Sequence, residues 1–233
     1  MSDRRNSGTF ISLLLALLFI FGLLLFSPII EKLSPVSATI LPPASSCFLP
    51  SNEGRYTVNA SQSRFQVKAY AGGLFSALAH DHTIAIRDFT GEVKFTYDTV
   101  APASLTLNIK ADSLAVMDKV SDSDRQKIEK TLRSEVLEVD KYSEITFKSD
   151  NVSAQRIAEG KYQTKITGEL TLHGVTRAIT IPATIDFSQN GLQAQGQFSL
   201  RQTDYGIKPV SIAGGTIKVK NELKFTFDIA ANR

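Results

Sequence analysis

The sequence predicts an all-β fold of about eight short antiparallel strands with one short helix, behind an apolar N-terminal segment. Over most of residues 56–230, apolar and polar residues alternate with a period of two, which puts one face of each strand inside and the other in water. Turn residues separate the alternating runs at short intervals, and this is typical of a sandwich or a closed barrel. Ser123 to Ser134 is the one run with helical spacing.

The N-terminal segment combines two cations with a long apolar run. Arg4 and Arg5 precede an apolar stretch from Phe10 to Phe26 that extends to Ile30. As a helix this stretch would measure roughly 26–32 Å, close to the thickness of a bilayer core. Residues 1–30 are therefore predicted to be a retained signal anchor or a cleaved signal peptide. Because the arginines stay cytoplasmic, both alternatives send the rest of the chain to the other side of the membrane.

A proline-rich segment follows. Five of the eight prolines lie between Ser27 and Asn52, so no regular helix or central strand is expected there. Residues 31–54 are predicted to be an extended tether, and residues 55–233 a folded domain. Cys47, the one cysteine, lies in this tether as a linker thiol or an acylation site, so the domain is expected to depend on its core alone.

The strands of the domain are indicated by strict alternation and by turn chemistry. The clearest alternating runs are Leu105–Ile109, Ile179–Phe187 and Leu223–Ile229. Alternation of this kind is typical of antiparallel sheets with one solvated face. Glu159-Gly160 and Asn190-Gly191 each separate two such runs and predict hairpins.

The predicted helix over residues 123–134 is marked by its first turn and by its apolar face. Asp122, Ser123 and Asp124 cluster at its start, where caps and anions are favoured. Ile128 and Leu132 share one face at a spacing of four residues. A single helix among strands is expected to cover one end of a barrel.

Several runs of the domain, in order, carry a family resemblance: Tyr56 through Phe65, Leu132-Arg133-Ser134, Lys141–Phe147, Gly168–Arg177 and Asp204–Ile207. Together they resemble the polyisoprenoid-binding YceI-like family over residues 56–230. The resemblance implies an eight-stranded antiparallel lipocalin-like barrel with one short helix, holding a long isoprenoid or similar amphiphile, often in the bacterial periplasm. The chain departs from the family pattern at Thr131, Val136-Leu137, Ser143 and Gln202, which puts the accepted head group in doubt more than the fold.

The candidate ligand site is the inside of this barrel. An eight-stranded barrel is either packed shut or wide enough for one ligand, and the resemblance favours an open interior. The inward positions predicted to line a lipid pocket are Phe65, Val67, Leu107, Phe147, Leu170, Ile181, Phe198 and Phe225. His82, Arg87 and Tyr205 are predicted to lie at the rim and to contact the head group.

The histidines suggest a competing, enzymatic hypothesis. His80 and His82, at positions i and i+2 of a strand, would face the same way, and His173 would complete a metal site. The alternative is that His80 and His82 bond the chain or a head group, while His173 fixes its turn with Gly174. No nucleophile elbow, phosphate loop or HExxH run is present, so we predict a non-catalytic protein without metal or cofactor.

The charge balance excludes one class of partner. A net charge of +3 without a block of lysines or arginines is far from the basic balance of a nucleic-acid-binding protein. The predicted partners are an isoprenoid or fatty-chain lipid, and the membrane through the N-terminal helix. The leading hypothesis is a lipid carrier or scavenger, as a monomer or homodimer. The rivals are a lipid-acting or metal-dependent enzyme and a packed barrel that serves as an assembly module.

Overall fold

In the computed structural model the described residues are 53–76, 80–96, 103–188 and 191–233. The predicted signal segment (1–30) and almost all of the tether, including Cys47, lie outside these ranges. Within the described residues, none of the helices has the length and apolar character needed to cross a membrane. Residues Phe48–Arg233 form one compact unit, and the following description concerns that unit.

The described part of the unit consists of eleven strands, one helix and several short turns. The strands are β1 Glu53–Gly72, β2 His82–Ile86, β3 Phe89–Thr96, β4 Ala103–Lys110, β5 Leu114–Val116, β6 Glu144–Ala158, β7 Lys161–Leu172, β8 Val175–Ser188, β9 Gly191–Arg201, β10 Ser211–Ile212 and β11 Ile217–Asn232. The helix is α1 Asp122–Thr131, followed by a widened turn, Leu132–Val136. Tight 3-10 turns are Ala111–Ser113, Gln202–Tyr205 and Ala213–Gly215.

Eight of these strands close into an antiparallel barrel, in the order β1, β3, β4, β6, β7, β8, β9 and β11. The pairing of β11 with β1 closes it. The three short strands extend the sheet at one end, where β2 pairs with β1 and β5, and β10 pairs with β11. This architecture confirms the predicted all-β, eight-stranded antiparallel barrel with one helix.

Strand β1 takes part in two different pairings because it is kinked. Its register against β11 shifts between Asn59 and Arg64. In the kink, the Asn59 side-chain oxygen accepts a hydrogen bond from the Ser61 hydroxyl (2.7 Å), and the Ser63 hydroxyl donates to the Asn59 carbonyl (2.6 Å). Before the kink β1 pairs with β3, and after it β1 pairs with β2.

Three tight hairpins set the register of the second half of the barrel. His173 and Gly174 connect β7 to β8 with φ angles of 52° and 72°, as a two-residue type I′ turn requires. The predicted Glu159-Gly160 turn is confirmed by the pairing of Ala158 with Lys161. The pairing of β8 with β9 confirms a hairpin between these strands, but Gly191 pairs with Ser188 and begins β9 rather than lying in the turn; Asn190 lies outside the described residues.

The end of the barrel where β1 begins is filled by aromatic rings. The Tyr56 ring stacks on Phe95 at a centroid distance of 5.4 Å, and Phe95 lies 4.6 Å from Phe187. Tyr162 meets Phe187 edge-on at 5.8 Å. Tyr56 and Phe95 are almost fully buried, so these rings close much of this end.

Helix α1 lies at the opposite end, and its sequence explains its start. Ser121 is the N-cap, whose hydroxyl accepts a hydrogen bond from the Asp124 amide (3.1 Å). The same hydroxyl and the Lys127 ammonium hold the pKa of the Asp124 carboxyl below its ordinary value. The predicted helix is confirmed, but its last turn is widened, because the Leu137 amide bonds the Leu132 carbonyl five residues back (2.9 Å).

Candidate functional site

The barrel encloses a cavity of about 700 Å³, within the ~300–1,000 Å³ range of small-molecule sites. Its wall consists of the inward faces of the barrel strands and is almost entirely apolar. The polar or charged residues on the wall are His82, Ser104, Lys127, Thr131, Thr146 and Gln202. The interior is therefore open, whereas the assembly-module alternative required a packed interior.

The structure places the predicted inward residues on the cavity wall. The eight inward residues named from the sequence all lie on the cavity wall: Phe65, Val67, Leu107, Phe147, Leu170, Ile181, Phe198 and Phe225. Leu107, Ile181, Phe198 and Phe225 are only half-buried, because one side of each borders the empty interior. Contact of these side chains with a lipid stays a prediction.

Phenylalanine rings make one part of the wall rigid. Phe198 and Phe225, which are cross-strand partners, stack at 4.9 Å with their planes 11° apart. Phe65 packs against Phe225 at 6.4 Å and edge-on against Phe227 at 6.3 Å. Stacked and edge-on ring pairs of this kind are favourable contacts, so they help to hold these rings in place on the wall.

The cavity reaches the surface at the end that carries α1. Lys127, Ile128 and Thr131 of the helix line it on one side, and Val210 and Ile212 beside β10 line it on another. Ile212 is 57% exposed, so the cavity opens to solvent next to it. The spacing of four residues between the apolar Ile128 and Leu132 indicated the helical part of the wall from the sequence. The residues at 210–212 were missed, because a two-residue strand leaves no periodic pattern.

The three predicted rim residues have different surroundings. His82 lines the cavity, and its Nδ1 lies 2.7 Å from Asp118 Oδ2. The other Asp118 oxygen accepts a hydrogen bond from the Thr83 amide (2.9 Å), so Asp118 holds both the ring and the backbone of β2. Arg87 and Tyr205 do not line the cavity wall, and their contact with a head group stays a prediction.

The positions of Arg87 and Tyr205 have local causes. Ile84 and Ile86 of β2 face the interior, so the odd-numbered neighbour Arg87 faces solvent, where its Nη2 lies 3.8 Å from Met117 Sδ. Tyr205 belongs to the turn after β9 and is 2% exposed, with its ring in the core rather than on the cavity wall.

The histidines do not gather as the metal hypothesis requires. Strand β2 begins at His82, so His80 precedes it, is exposed, and borders a second pocket of about 270 Å³ beside the mouth. His173 lies in the β7–β8 turn, with Nε2 2.7 Å from Glu138 Oε2 and its ring 4.4 Å from that of Tyr142. Across the described ranges, no group of three or more His, Cys, Asp or Glu side chains is arranged to hold a metal ion.

Helix α1 is tied to β5 at the mouth by charged side chains. Arg125 donates to the Val116 carbonyl and to the Asp118 carbonyl, the latter at 3.0 Å. Glu129 accepts a hydrogen bond from the Val116 amide (3.0 Å) and lies 3.4 Å from the Arg133 guanidinium. Since no residue of α1 is fully buried, these bonds contribute much of what holds the helix over the mouth.

Arg125→Ala is expected to loosen the helix. The variant removes two charge-assisted hydrogen bonds to backbone carbonyls, which should lower the free energy of unfolding by about 2 kcal/mol. Urea denaturation measures this loss, and hydrogen exchange should show faster exchange in α1 than in β7. Lys130→Ala, at an exposed position of the same helix, is the matched control. Equal stability of the two variants would contradict this account of the helix.

Tyr205→Phe is expected to stabilise the domain. The buried Tyr205 hydroxyl has no hydrogen-bond partner within the described residues, and an unsatisfied hydroxyl costs about 1 kcal/mol or more. Burial also raises the pKa of this hydroxyl, and the Arg177 guanidinium opposes part of the rise. Because the folded chain keeps the proton to higher pH than the unfolded chain, ionisation favours unfolding above about pH 10.

The measurement for Tyr205→Phe is the denaturation midpoint at neutral pH and at several pH values above about 10. The variant should be more stable at neutral pH and should lose less stability on the alkaline side. Tyr70→Phe, at a half-exposed tyrosine, is the control and should leave the neutral-pH midpoint unchanged. A Tyr205→Phe variant less stable than the wild type at neutral pH would show that the hydroxyl is satisfied.

Comparison with known proteins places the barrel in a family. The profile of the YceI-like domain matches residues 56–231. The chain belongs to the YceI-like family. This confirms the resemblance carried by the motifs, and the match includes most or all of every strand that closes the barrel.

Related sequences are found in Shewanella and Vibrio. A UPF0312 protein of Shewanella sp. (strain ANA-3) is 32% identical over 141 residues, which are 57% of this chain and 68% of that protein. A UPF0312 protein of Vibrio parahaemolyticus is 35% identical over 96 residues, 41% of this chain. The chain thus spans 45% of the length of the Vibrio relative.

Solved structures share the fold of this YceI-like chain. BcnA of Burkholderia cenocepacia superposes with a TM-score of 0.58 at 17% identity, covering 75% of this chain and 99% of BcnA. A polyisoprenoid binding domain from Saccharophagus degradans gives a TM-score of 0.55 at 14% identity, covering 76% and 97%. At these identities the likeness concerns the fold alone.

Proposed function

We propose that this YceI-like protein holds one long apolar lipid, a polyisoprenoid or similar amphiphile, inside its barrel and does not act on it chemically. The observation that carries the proposal is the apolar cavity of about 700 Å³ that reaches the surface beside α1. The polyisoprenoid-binding description of the Saccharophagus degradans domain, which has the same fold, supports this class of ligand.

The affinity of such a site would come from burial of hydrocarbon. Each methylene transferred from water to an apolar wall contributes roughly 0.8 kcal/mol, and the costs of association and chain ordering offset part of the sum. The wall supplies this surface without requiring a specific polar contact. The polar groups near the mouth, His82, Lys127 and Gln202, are positioned to orient a head group and to set which one is accepted.

The His82 environment supports a binding role. Asp118 holds the ring at 2.7 Å, which fixes its orientation at the cavity wall. A histidine held in this way presents its other ring nitrogen in a constant position, suited to bonding a head-group oxygen. His82→Ala is therefore expected to weaken binding of a lipid alcohol, while the same variant binds the corresponding head-free hydrocarbon chain as the wild type does.

The chain-length dependence of binding tests the proposal. Full-length protein in dilute detergent is titrated with a series of fluorescent linear alcohols that differ only in chain length. Affinity should rise about fourfold for each added methylene and then level off when the cavity is full. Affinity that does not change with chain length would contradict the proposal, and so would recovery of chemically altered probe after long incubation.

The location is part of the proposal. The apolar run at residues 10–30, preceded by Arg4 and Arg5, supports a barrel that works on the periplasmic side of the cytoplasmic membrane. We propose that it acts there as a monomer or homodimer. A fusion of alkaline phosphatase to the C-terminus should be active in intact bacterial cells. The orientation would be contradicted if the phosphatase fusion were inactive and a reporter that works only in the cytoplasm, fused at the same position, were active.

A further inference from the structure

Three large apolar side chains are exposed next to the mouth of the cavity. Leu74 is 82% exposed, Phe75 is 49% exposed and Ile212 is 57% exposed. Scattered exposed apolar residues are normal on a protein surface, but a group of them at the entrance to a cavity marks an interaction site.

These residues belong to one continuous surface. The Phe75 amide donates to the Thr216 carbonyl (3.0 Å), which ties the loop after β1 to the start of β11. Ile212 of β10 pairs with Ile217 at the same place, and Ile212 also lines the cavity. We call residues 73–76, 211–212 and 216–217 the mouth rim.

Lysines surround the mouth rim. Lys218 and Lys220 lie on the exposed face of β11, directly beside it, and within the described ranges neither has a carboxylate partner. Lys68 and Lys220 place their ammonium groups 5.3 Å and 5.9 Å from the centre of the Tyr70 ring. Two acids lie nearby and are outnumbered by Lys68, Lys218 and Lys220. Glu222 follows Lys220 on the same exposed face of β11, and the Asp81 carboxylate lies 3.9 Å from the Lys68 ammonium and accepts a hydrogen bond from the Ala71 amide. The surface beside the mouth is therefore cationic on balance.

We propose that the mouth rim docks on the surface of an anionic lipid bilayer. Apolar side chains flanked by lysines bind such a surface, because the hydrocarbon enters the interface while the cations meet the lipid phosphates. Docking would place the cavity opening against the bilayer, so that a lipid chain passes between membrane and barrel without crossing water. The inference rests on the proposed lipid-holding function and supplies the route by which that ligand enters.

A fluorescent label at the mouth rim tests the docking. In the full chain, Cys47→Ser removes the natural thiol, and Leu74→Cys or Ile157→Cys then carries the label. Ile157 lies near the end of β6, at the opposite end of the barrel, and is similarly apolar and exposed. The probe surface is vesicles of phosphatidylglycerol and phosphatidylcholine containing a lipid with a quencher on its acyl chain.

Quenching at Leu74→Cys, without quenching at Ile157→Cys, is the expected result. Lys218→Gln with Lys220→Gln should weaken docking of the mouth rim, measured as quenching of the Leu74→Cys label, by about fivefold for each lysine removed. Lys148→Gln with Lys165→Gln, at exposed lysines on β6 and β7, is the matched control and should change little. Equal quenching at the two labels, or equal binding of the two lysine pairs, would overturn the proposal.

The same measurements distinguish the membrane from a second copy of the chain, and docking from ligand uptake. If Leu74→Ser with Phe75→Ser dissolves a dimer in sedimentation, and the Leu74 label is not quenched by vesicles, the rim contacts a second copy of the chain and the membrane proposal is overturned. Since the vesicles contain no isoprenoid, docking is measured separately from ligand uptake. If a variant whose cavity is filled by a bulky side chain still docks on the vesicles, docking is supported independently of the result for lipid binding.

Discussion

Ala194→Trp is expected to abolish binding of long-chain lipids while leaving the barrel folded. Ala194 lies on the cavity wall in β9, between Ile185 of β8 and Ile229 of β11. An indole ring at this position extends into the empty interior and takes the space of several methylene groups. Displacing about four methylenes from the wall should lower affinity roughly 250-fold in the chain-length titration.

The matched control for this variant is Gln197→Trp on the same strand. Gln197 faces solvent, so the same ring is added outside the barrel. Both variants should keep the wild-type circular dichroism spectrum, because the first one fills a space that is already present. If Ala194→Trp binds the longest probe as well as Gln197→Trp does, the cavity is not the ligand site.

Gly168→Ala is expected to be the most destabilising single-methyl change in the barrel. Gly168 of β7 lies opposite Ser149 of β6, next to a shift in the register of the two strands. A Cβ atom at this position would lie 2.3 Å from the Lys148 carbonyl oxygen and 2.5 Å from the Ser149 Cα. These are backbone atoms that cannot rotate away, so we expect a loss of about 3 kcal/mol, the upper part of the usual overpacking range.

Urea denaturation of Gly168→Ala, compared with Glu169→Ala, measures this effect. Glu169 is the next residue and is exposed, so its substitution should change the free energy of unfolding by less than about 0.5 kcal/mol. An unchanged midpoint for Gly168→Ala would mean that β6 and β7 separate more easily at this shift than their geometry indicates.

The barrel could be predicted from the sequence because each wall strand repeats the same physical pattern. In Leu223–Ile229, every second side chain faces the interior, so parity alone located Phe225 on the wall. The hairpins could also be predicted, because the residues that form a tight turn are adjacent in the sequence, as at Glu159-Gly160. What alternation left undecided was whether the interior is filled, since an inward phenylalanine has the same sequence signature in a packed barrel.

The rim was harder to predict, because its residues depend on where strands start and how turns close. The pattern over residues 80–82 suggested two histidines on one strand face. Strand β2 starts only at His82, and Asp81 instead accepts a hydrogen bond from the Ala71 amide (3.0 Å). Arg87 lies one position beyond the last inward residue, and Tyr205 is carried into the core by a 3-10 turn. Neither position follows from a periodic pattern.

The kink in β1 and the short strands at the mouth could not be predicted from the sequence either. The kink in β1 depends on side-chain bonds of Asn59 and Ser63, which are common residues with no distinctive spacing. Strands β5 and β10 have three and two residues, too few to show alternation. The part of the protein that decides how a ligand enters is therefore the part that needed the structure.

Native mass spectrometry of the full chain, released from membranes without added lipid, tests the central claim most directly. The account predicts one non-covalent long-chain lipid per barrel, released intact on collisional activation and missing from Ala194→Trp. A wild-type chain that carries no lipid and takes up none of the long-chain probes would contradict it.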